Sequence, residues 1–275
     1  MKKNIFILLF LASFIIVAQK KYPTNDFINP LEIPLKLSGT FGELRNNHFH
    51  AGIDIKTKGR TGLPVFAAAD GYVSRIKVAI WGYGKAIYIT HPNGYTSVYA
   101  HLSKYEETIQ GYVKNIQYKK KSYETGNIYP KENELLVKKG EIIAYSGRTG
   151  GFVAPHLHYE IRDTKTENII NPMLLGLKVQ DSIAPVIKKL MAYPIEFNSR
   201  INKSNKNQIL PIKKDSLNNY KTSRVSAFGK IGFGINVYDL LGKELNKNGV
   251  YSIEMLVNGK RHYYHDVSTF SFAES

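Results

Sequence analysis

His156-Leu157-His158-Tyr159-Glu160-Ile161-Arg162 alternates polar and apolar residues without a break. Such alternation belongs to a β-strand, in which successive side chains point to opposite faces. His156, His158, Glu160 and Arg162 therefore share one face, and Leu157, Tyr159 and Ile161 the other. Two imidazoles stand side by side. Histidine pairs at this spacing bind metal ions on strands and also occur on exposed polar faces; the spacing leaves open whether one or both would touch a metal.

The flanking sequence is also β-like. From Gly62 to Leu102, short apolar stretches are punctuated by glycine, and Glu134 to Arg162 repeats the pattern with glycines at 140, 147, 150 and 151. Asn93-Gly94, between two β-rich runs, predicts a type I′ hairpin, whose two central residues both need positive φ. Tyr105, Ile109, Tyr112, Val113 and Ile116 fall at helical spacing and predict one amphipathic helix over Ser103 to Tyr118, although Gly111 weakens it. Polar Lys119 to Asn133, with Gly126 and Pro130, reads as a surface loop, so residues 103–133 form an insertion. The fold class is all-β and antiparallel with an inserted helix.

Pro172 and Asp181-Ser182-Ile183-Ala184-Pro185 mark a domain boundary. Beyond it, Lys230 to Asp239, Gly249 to Val257 and Arg261 to Asp266 read as strands, the last two joined at Asn258-Gly259. This predicts a small β-sandwich-like domain over 183–275. Its alternating run continues through Phe270-Ser271-Phe272 with few strands to close a sandwich, so the domain reads as incomplete.

At the other end, Lys2-Lys3 precedes an apolar run from Ile5 to Val17 that stops at Ala18. The run is short for a bilayer span and reads as a secretory signal peptide over 1–18, followed by a segment at 19–37. The expectation is export to the periplasm or cell envelope, without stable membrane insertion after cleavage. There is no cysteine, so an exported chain would fold without disulfides or a lipid anchor, and a bound transition metal would be held by His, Asp or Glu. The formal charge is +16. That field favours polyanions, of which the cell wall fits an exported protein better than nucleic acid. No nucleic-acid-binding motif is present, and Lys119-Lys120-Lys121 is the only tight basic run.

Among the eight histidines, His50 opens His50-Ala51-Gly52-Ile53-Asp54, which reads as a strand because Ile53 and Ile55 are β-branched. His50 and Asp54 would then project the same way, with Gly52 between them leaving room for an ion. Taken alone, a His and an Asp four apart occur often by chance. His101 ends the strand-like Tyr99-Ala100-His101-Leu102, where a side chain can reach a cleft. His48 would share the face of His50 if the strand extends back, although a surface role suits it better. His91, His262 and His265 rank lower.

Together, His50-Ala51-Gly52-Ile53-Asp54, Pro64 to Val73, Gly82-Tyr83-Gly84, Tyr99-Ala100-His101-Leu102, Gly140 to Gly150 and Pro155-His156-Leu157-His158-Tyr159-Glu160 resemble, in type and order, the lysostaphin/LytM metallopeptidases. The resemblance covers roughly residues 38 to 175. It implies a glycine-punctuated antiparallel β domain of the duplicated hybrid motif type over 38–178. It further implies one Zn2+ per chain held by His50, Asp54 and His158, with His101 and His156 as catalytic histidines, and hydrolysis of peptide bonds in peptidoglycan. The insertion at 103–133 and the loop Arg148 to Ala154 depart from the pattern and bear on substrate range. The helix and Lys119 to Lys121 would wall or flank the substrate groove, and the C-terminal domain would meet a cell-wall or envelope partner. Three rivals stand beside this reading: a non-catalytic LytM-like regulator of a wall amidase, a sugar-phosphotransferase carrier domain, and a wall-binding module without a reaction.

Overall fold

The computed structural model describes residues 22–274 apart from 152, 153, 180 and 242–245. The expected signal peptide lies outside the described residues. Among them, no helix is long and apolar enough to cross a membrane.

The alternating stretch forms β11 (His156–Asp163), flanked on both edges by antiparallel neighbours, β2 (Ile53–Lys56) and β6 (Tyr95–Ala100). The sheet continues past β2 to β1 (Leu37–Gly39) and past β6 to β5 (Lys85–Thr90), β4 (Gly71–Val78) and β8 (Gly126–Ile128). Two short strands, β9 (Leu136–Val137) on β4 and β12 (Ile169–Ile170) on β11, branch from it. A smaller sheet joins β3 (Pro64–Phe66), β10 (Ile142–Tyr145) and β7 (Lys104–Tyr105).

The apolar side of β11 and β2 builds the core: Leu157, Tyr159, Ile161, Ile53 and Ile55 are all fully buried. The polar face of β11 is buried too, with His156, His158 and Arg162 nearly covered and Glu160 completely so. It is therefore not the exposed polar face that alternation also allows. Buried charge must be paired, and the pairs found here are those of the site described below.

The helix α1 runs Glu107–Lys120, four residues later than its spacing predicts at the start and two later at the end. The start moves because Lys104 and Tyr105 pair with Tyr145 and Ala144 instead of joining the helix. The Glu106 side chain then accepts from Thr108 N at 2.9 Å and caps the first turn, while Ile109 and Val113 are buried. The segment expected to be loop contains β8, whose Ile128 is buried opposite Ile76.

The two Asn-Gly turns behave differently. Asn258 and Gly259 both have positive φ, +52° and +78°, and join Val257 to Lys260 in the expected two-residue geometry. Between β5 and β6 only Gly94 does, at +85°, and the loop is four residues long. Pro92 accounts for the difference, because its ring holds φ negative and starts the turn one residue before Asn93.

After residue 185 the described residues form a four-stranded sheet built on Val186–Pro194 and Ile231–Leu240, with separate two-stranded ribbons. Its core is small: Ala192, Ile201 and Leu210. The chain then returns to the first sheet, where Thr269–Phe270 pairs with β12.

Candidate metal centre

Strand register brings the first two site residues together. Asp54 on β2 lies directly opposite His158 on β11, and His158 lies opposite Ala100 on β6, one residue before His101. His50 precedes β2 in irregular backbone instead of belonging to the strand. It still reaches Asp54, because its Nδ1 is fixed to Thr40 O at 2.8 Å. Gly52 leaves room for the neighbouring strand, not for an ion: a Cβ there would overlap Tyr159 O and lie 2.8 Å from Glu160 Cγ.

His50 Nε2, Asp54 Oδ1 and His158 Nδ1 form a triangle with edges of 3.0, 2.9 and 3.1 Å. The outer partners decide where the imidazole protons sit. Thr40 O can only accept, so His50 Nδ1 carries a hydrogen and Nε2 a lone pair. Glu160 Oε1 accepts from His158 Nε2 at 2.8 Å, which aims His158 Nδ1 inward. Arg45 Nη2 donates to Asp54 Oδ2 at 2.9 Å, so Oδ1 is the carboxylate oxygen that faces the histidines.

Three donors of electron pairs thus meet at one point, and His50, Asp54 and His158 are the group whose ligand atoms lie close enough to hold an ion among the described residues. A tetrahedral ion with donors at about 2.0–2.1 Å would set them roughly 3.3–3.4 Å apart, only a few tenths of an ångström wider. The donor set fits a small divalent cation that accepts nitrogen and oxygen.

Electrostatics agree. Burial alone would raise the Asp54 pKa, but its close contacts with His158 and His50, and their fields, hold it far below the usual carboxylate range. Burial likewise opposes charge on His158, yet Asp54 and Glu160 outweigh it and raise its pKa to about 9. These partners favour a proton on His158 that a cation entering the triangle would have to displace.

Two further imidazoles face this triangle. His101 Nδ1 donates to Thr149 O and His156 Nδ1 to Ala154 O, each at 2.9 Å. The rings lie 4.7 Å apart, and His156 Nε2 is 3.8 Å from Asp54 Oδ1. Burial first, then the fields of His158 and His156, push the His101 pKa down to about 3, so this ring is neutral at physiological pH. His101 also has a φ of +60°, a left-handed conformation that costs a non-glycine residue about 1 kcal/mol or more. Its backbone is held by Tyr83 O, which accepts from His101 N at 3.0 Å, and by Gly147, where a Cβ would overlap His101 O.

The sequence named no role for Arg45, Tyr83, Glu160 or Arg162. Glu160 is clasped from three sides: the Tyr83 hydroxyl donates to Oε1, His158 Nε2 donates to the same oxygen, and Arg162 Nε and Nη2 lie 2.7 and 2.6 Å from Oε2. Burial would raise its pKa; Arg162 first, then His158 and Tyr83, bring it down to about 2. Alternation places Glu160 and Arg162 on the face of the histidines and could have found them. Tyr83 stood in the Gly82-Tyr83-Gly84 motif without a role, and nothing local marks Arg45, which reaches Asp54 from a loop nine residues earlier.

The triangle opens into a cleft of about 880 Å³ whose walls include Arg45, Phe49, Lys77, Tyr83, His101 and Phe272. No residue of α1 lines it. Lys114, Tyr118 and Lys121 border a separate hollow with Tyr123, so the helix and Lys119 to Lys121 do not wall the cleft. His48 is exposed and bonded to its neighbour Asn47, and His262 and His265 are exposed on the distant hairpin. His91 is buried between Asp70 O and Ser97 Oγ, a structural role.

Residues 48–128 match peptidase family M23. The chain carries an M23 domain. Its relatives include the DD-carboxypeptidase/endopeptidase Mpg of Neisseria meningitidis, 34% identical over 166 residues, which cover 58% of this chain and 31% of Mpg. The peptidoglycan DD-endopeptidase ShyC of Vibrio cholerae is 29% identical over 127 residues, 46% of this chain and 22% of ShyC. The chain thus spans a third or less of the length of these curated relatives. Among solved structures, the catalytic domain of lysostaphin from Staphylococcus simulans aligns with 50% of this chain and 86% of its own, at 26% identity and a TM-score of 0.36. His50, Asp54 and His101 fall inside the matched M23 segment; His156 and His158 follow it.

Proposed function

We propose that this chain is an exported zinc metalloendopeptidase that hydrolyses peptide bonds in the stems or cross-links of peptidoglycan. The observation that carries the reading is the triangle of His50 Nε2, Asp54 Oδ1 and His158 Nδ1, whose outer hydrogen bonds turn three electron pairs inward. The M23 match and the activities for which Mpg and ShyC are named support the reaction class and the substrate.

His50, Asp54 and His158 would hold the ion, leaving a fourth position open toward the cleft. When bound, zinc supplies Lewis acidity, activating water and polarising the scissile carbonyl near neutral pH. The remaining steps belong to the chain's own side chains. His101 is neutral and its Nδ1 hydrogen is committed to Thr149 O, so Nε2 is the atom that takes a proton. His156 has the same arrangement toward Ala154 O, and the pair flanks the site from one side. One ring accepts the proton of the attacking water, and the other, once protonated, stabilises negative charge on the carbonyl oxygen. Burial keeps competing water away from both rings and strengthens these interactions.

The test is digestion of purified sacculi with the mature protein, with products identified by mass spectrometry and metal content measured in parallel. About one zinc per chain and release of peptide fragments that ceases in His50→Ala and His158→Ala are expected. Intact sacculi, or full release by either variant, would refute the assignment.

A further inference from the structure

The hairpin that ends at Asp266 is followed by a segment that leaves the C-terminal sheet region and lies along the M23 domain. Its attachment is dense. Thr269 and Phe270 extend the main sheet by pairing with Ile170 and Ile169, and Thr269 Oγ1 donates to Ile169 O at 2.8 Å. Asn171 fixes the segment at two further points, donating from its backbone N to Ser268 O at 2.9 Å and from Nδ2 to Val267 O at 3.2 Å. Val267 sits against Gly42, where a Cβ would be 2.8 Å from its Cγ1. The Phe270 ring packs 4.9 Å from Phe41 and 6.1 Å from Phe49, closing the interface with apolar contact.

Two residues further on, Phe272 enters the wall of the cleft that holds His50, His101 and His158. One face of its ring covers the Arg162 guanidinium at 4.6 Å, which fixes its place, yet 46% of the residue remains exposed. An aromatic ring anchored on one side and open on the other, within the catalytic cleft, is a contact surface for substrate. Leu44 and Phe49 add exposed apolar surface to the same cleft, and Arg45, Lys77 and Tyr83 line it with charged and polar groups.

We propose that residues 266–272 complete the substrate cleft of the M23 domain, and that Phe272 is a specificity-determining residue that packs against an aliphatic side chain of the peptide beside the scissile bond. The inference rests on the peptidase reading above. It assigns the C-terminal region a direct part in substrate binding, through a strand supplied to the catalytic sheet. Phe272 touches no ion-holding side chain in this role; it acts on the peptide. Phe270 acts by holding the segment in place.

The experiment compares wild type, Phe272→Ala, Phe272→Leu and Phe270→Ala by hydrolysis of a soluble cross-linked muropeptide, zinc content and thermal melting. The same peptide is titrated into chelator-treated protein to measure binding apart from turnover. Phe272→Ala should raise KM and weaken binding about tenfold, the size of one good aromatic contact. Zinc content and melting temperature should hold, and Phe272→Leu should restore most of the loss. Phe270→Ala should reproduce the binding defect by releasing the segment. Unchanged KM and binding in Phe272→Ala, while wild type cuts the peptide, would overturn this inference and leave the peptidase reading standing. Faster turnover in Phe272→Ala would make the segment a plug, which also overturns it. A wild-type protein that neither binds nor cuts the peptide would sink the peptidase reading and this inference with it.

Discussion

Glu160→Gln is the most informative single change, because it keeps the shape of a fully buried side chain and removes only its charge. In the native protein Oε1 accepts from Tyr83 and His158, and Oε2 accepts from Arg162. A glutamine cannot serve all three. If its oxygen faces His158, its amide hydrogens face the Arg162 guanidinium, donor against donor. If it turns over, the amide donates to His158 Nε2 and drives the imidazole hydrogen onto Nδ1, the atom that must present an electron pair. Breaking a buried ion pair by changing one partner costs about 3–5 kcal/mol. Here Glu167 still holds Arg162 Nη1 at 3.0 Å, so the lower end applies. About 3 kcal/mol corresponds to a fall in Tm of roughly 6–12 °C for a domain of about 150 residues. Loss of a group that orients a metal-bound histidine should weaken zinc binding 10–100-fold, by the usual size of such effects. Calorimetry on chelator-treated protein reads the first quantity, and competition with a chromophoric chelator reads the second. A variant that melts within about 1 °C of wild type and binds zinc within about twofold would show that the Glu160 contacts do not orient His158.

Further outcomes follow from the same geometry. His101→Ala and His156→Ala should keep their zinc and lose nearly all turnover; loss of zinc from His156→Ala but not from His158→Ala would exchange the roles of the two histidines on β11. Burial lowers the pKa of His91, which is remote from the ion site, so its folded-state value lies below its unfolded value. Its contribution is present at neutral pH and is lost as pH falls through the unfolded pKa of about 6.5 toward the folded one. Chemical denaturation should therefore give a lower stability at pH 5 than at pH 7, with a smaller difference in His91→Asn. Gly52→Ala forces a methyl group onto Tyr159 O and toward Glu160 Cγ. It should destabilise by about 1–3 kcal/mol or more, and a melting curve equal to wild type would mean that β2 and β11 can separate without penalty.

What the sequence made legible was local. Alternation in His156 to Arg162 fixed a strand, its two faces and the pairing of His156 with His158, because a period of two survives in any β environment. The spacing of Tyr105, Ile109, Val113 and Ile116 revealed a helix for the same reason, and its start shifted only because Lys104 and Tyr105 are captured by β10. Relations between distant segments were not legible. His50 belongs to a loop whose direction depends on Thr40, and the lone pair it presents is decided by a backbone carbonyl ten residues away. Tyr83 reaches Glu160 from 77 residues away and Arg45 reaches Asp54 from a loop nine residues earlier, neither with a periodic signature. Gly52 was assigned the wrong reason for the same cause, since the atoms that exclude a side chain there lie more than a hundred residues further along the chain.

The charge arrangement of the site carries its own consequence. Each carboxylate near the triangle already has an arginine: Asp54 pairs with Arg45 through Oδ2, and Glu160 with Arg162 through Oε2. Each arginine is shared with a second carboxylate, Arg45 with Glu43 at 3.5 Å and Arg162 with Glu167 at 3.0 Å, so both pairs belong to larger ion networks. A cation held by Asp54 Oδ1 and two imidazoles would stand near the buried ring of His101, and its field would oppose a proton there. Neutral rings are what a proton acceptor requires before turnover. In the metallopeptidase reading proposed above, Glu160 would orient His158 and Arg45 would orient Asp54 as ligands, and the positive charge of a bound ion would be available to the substrate carbonyl.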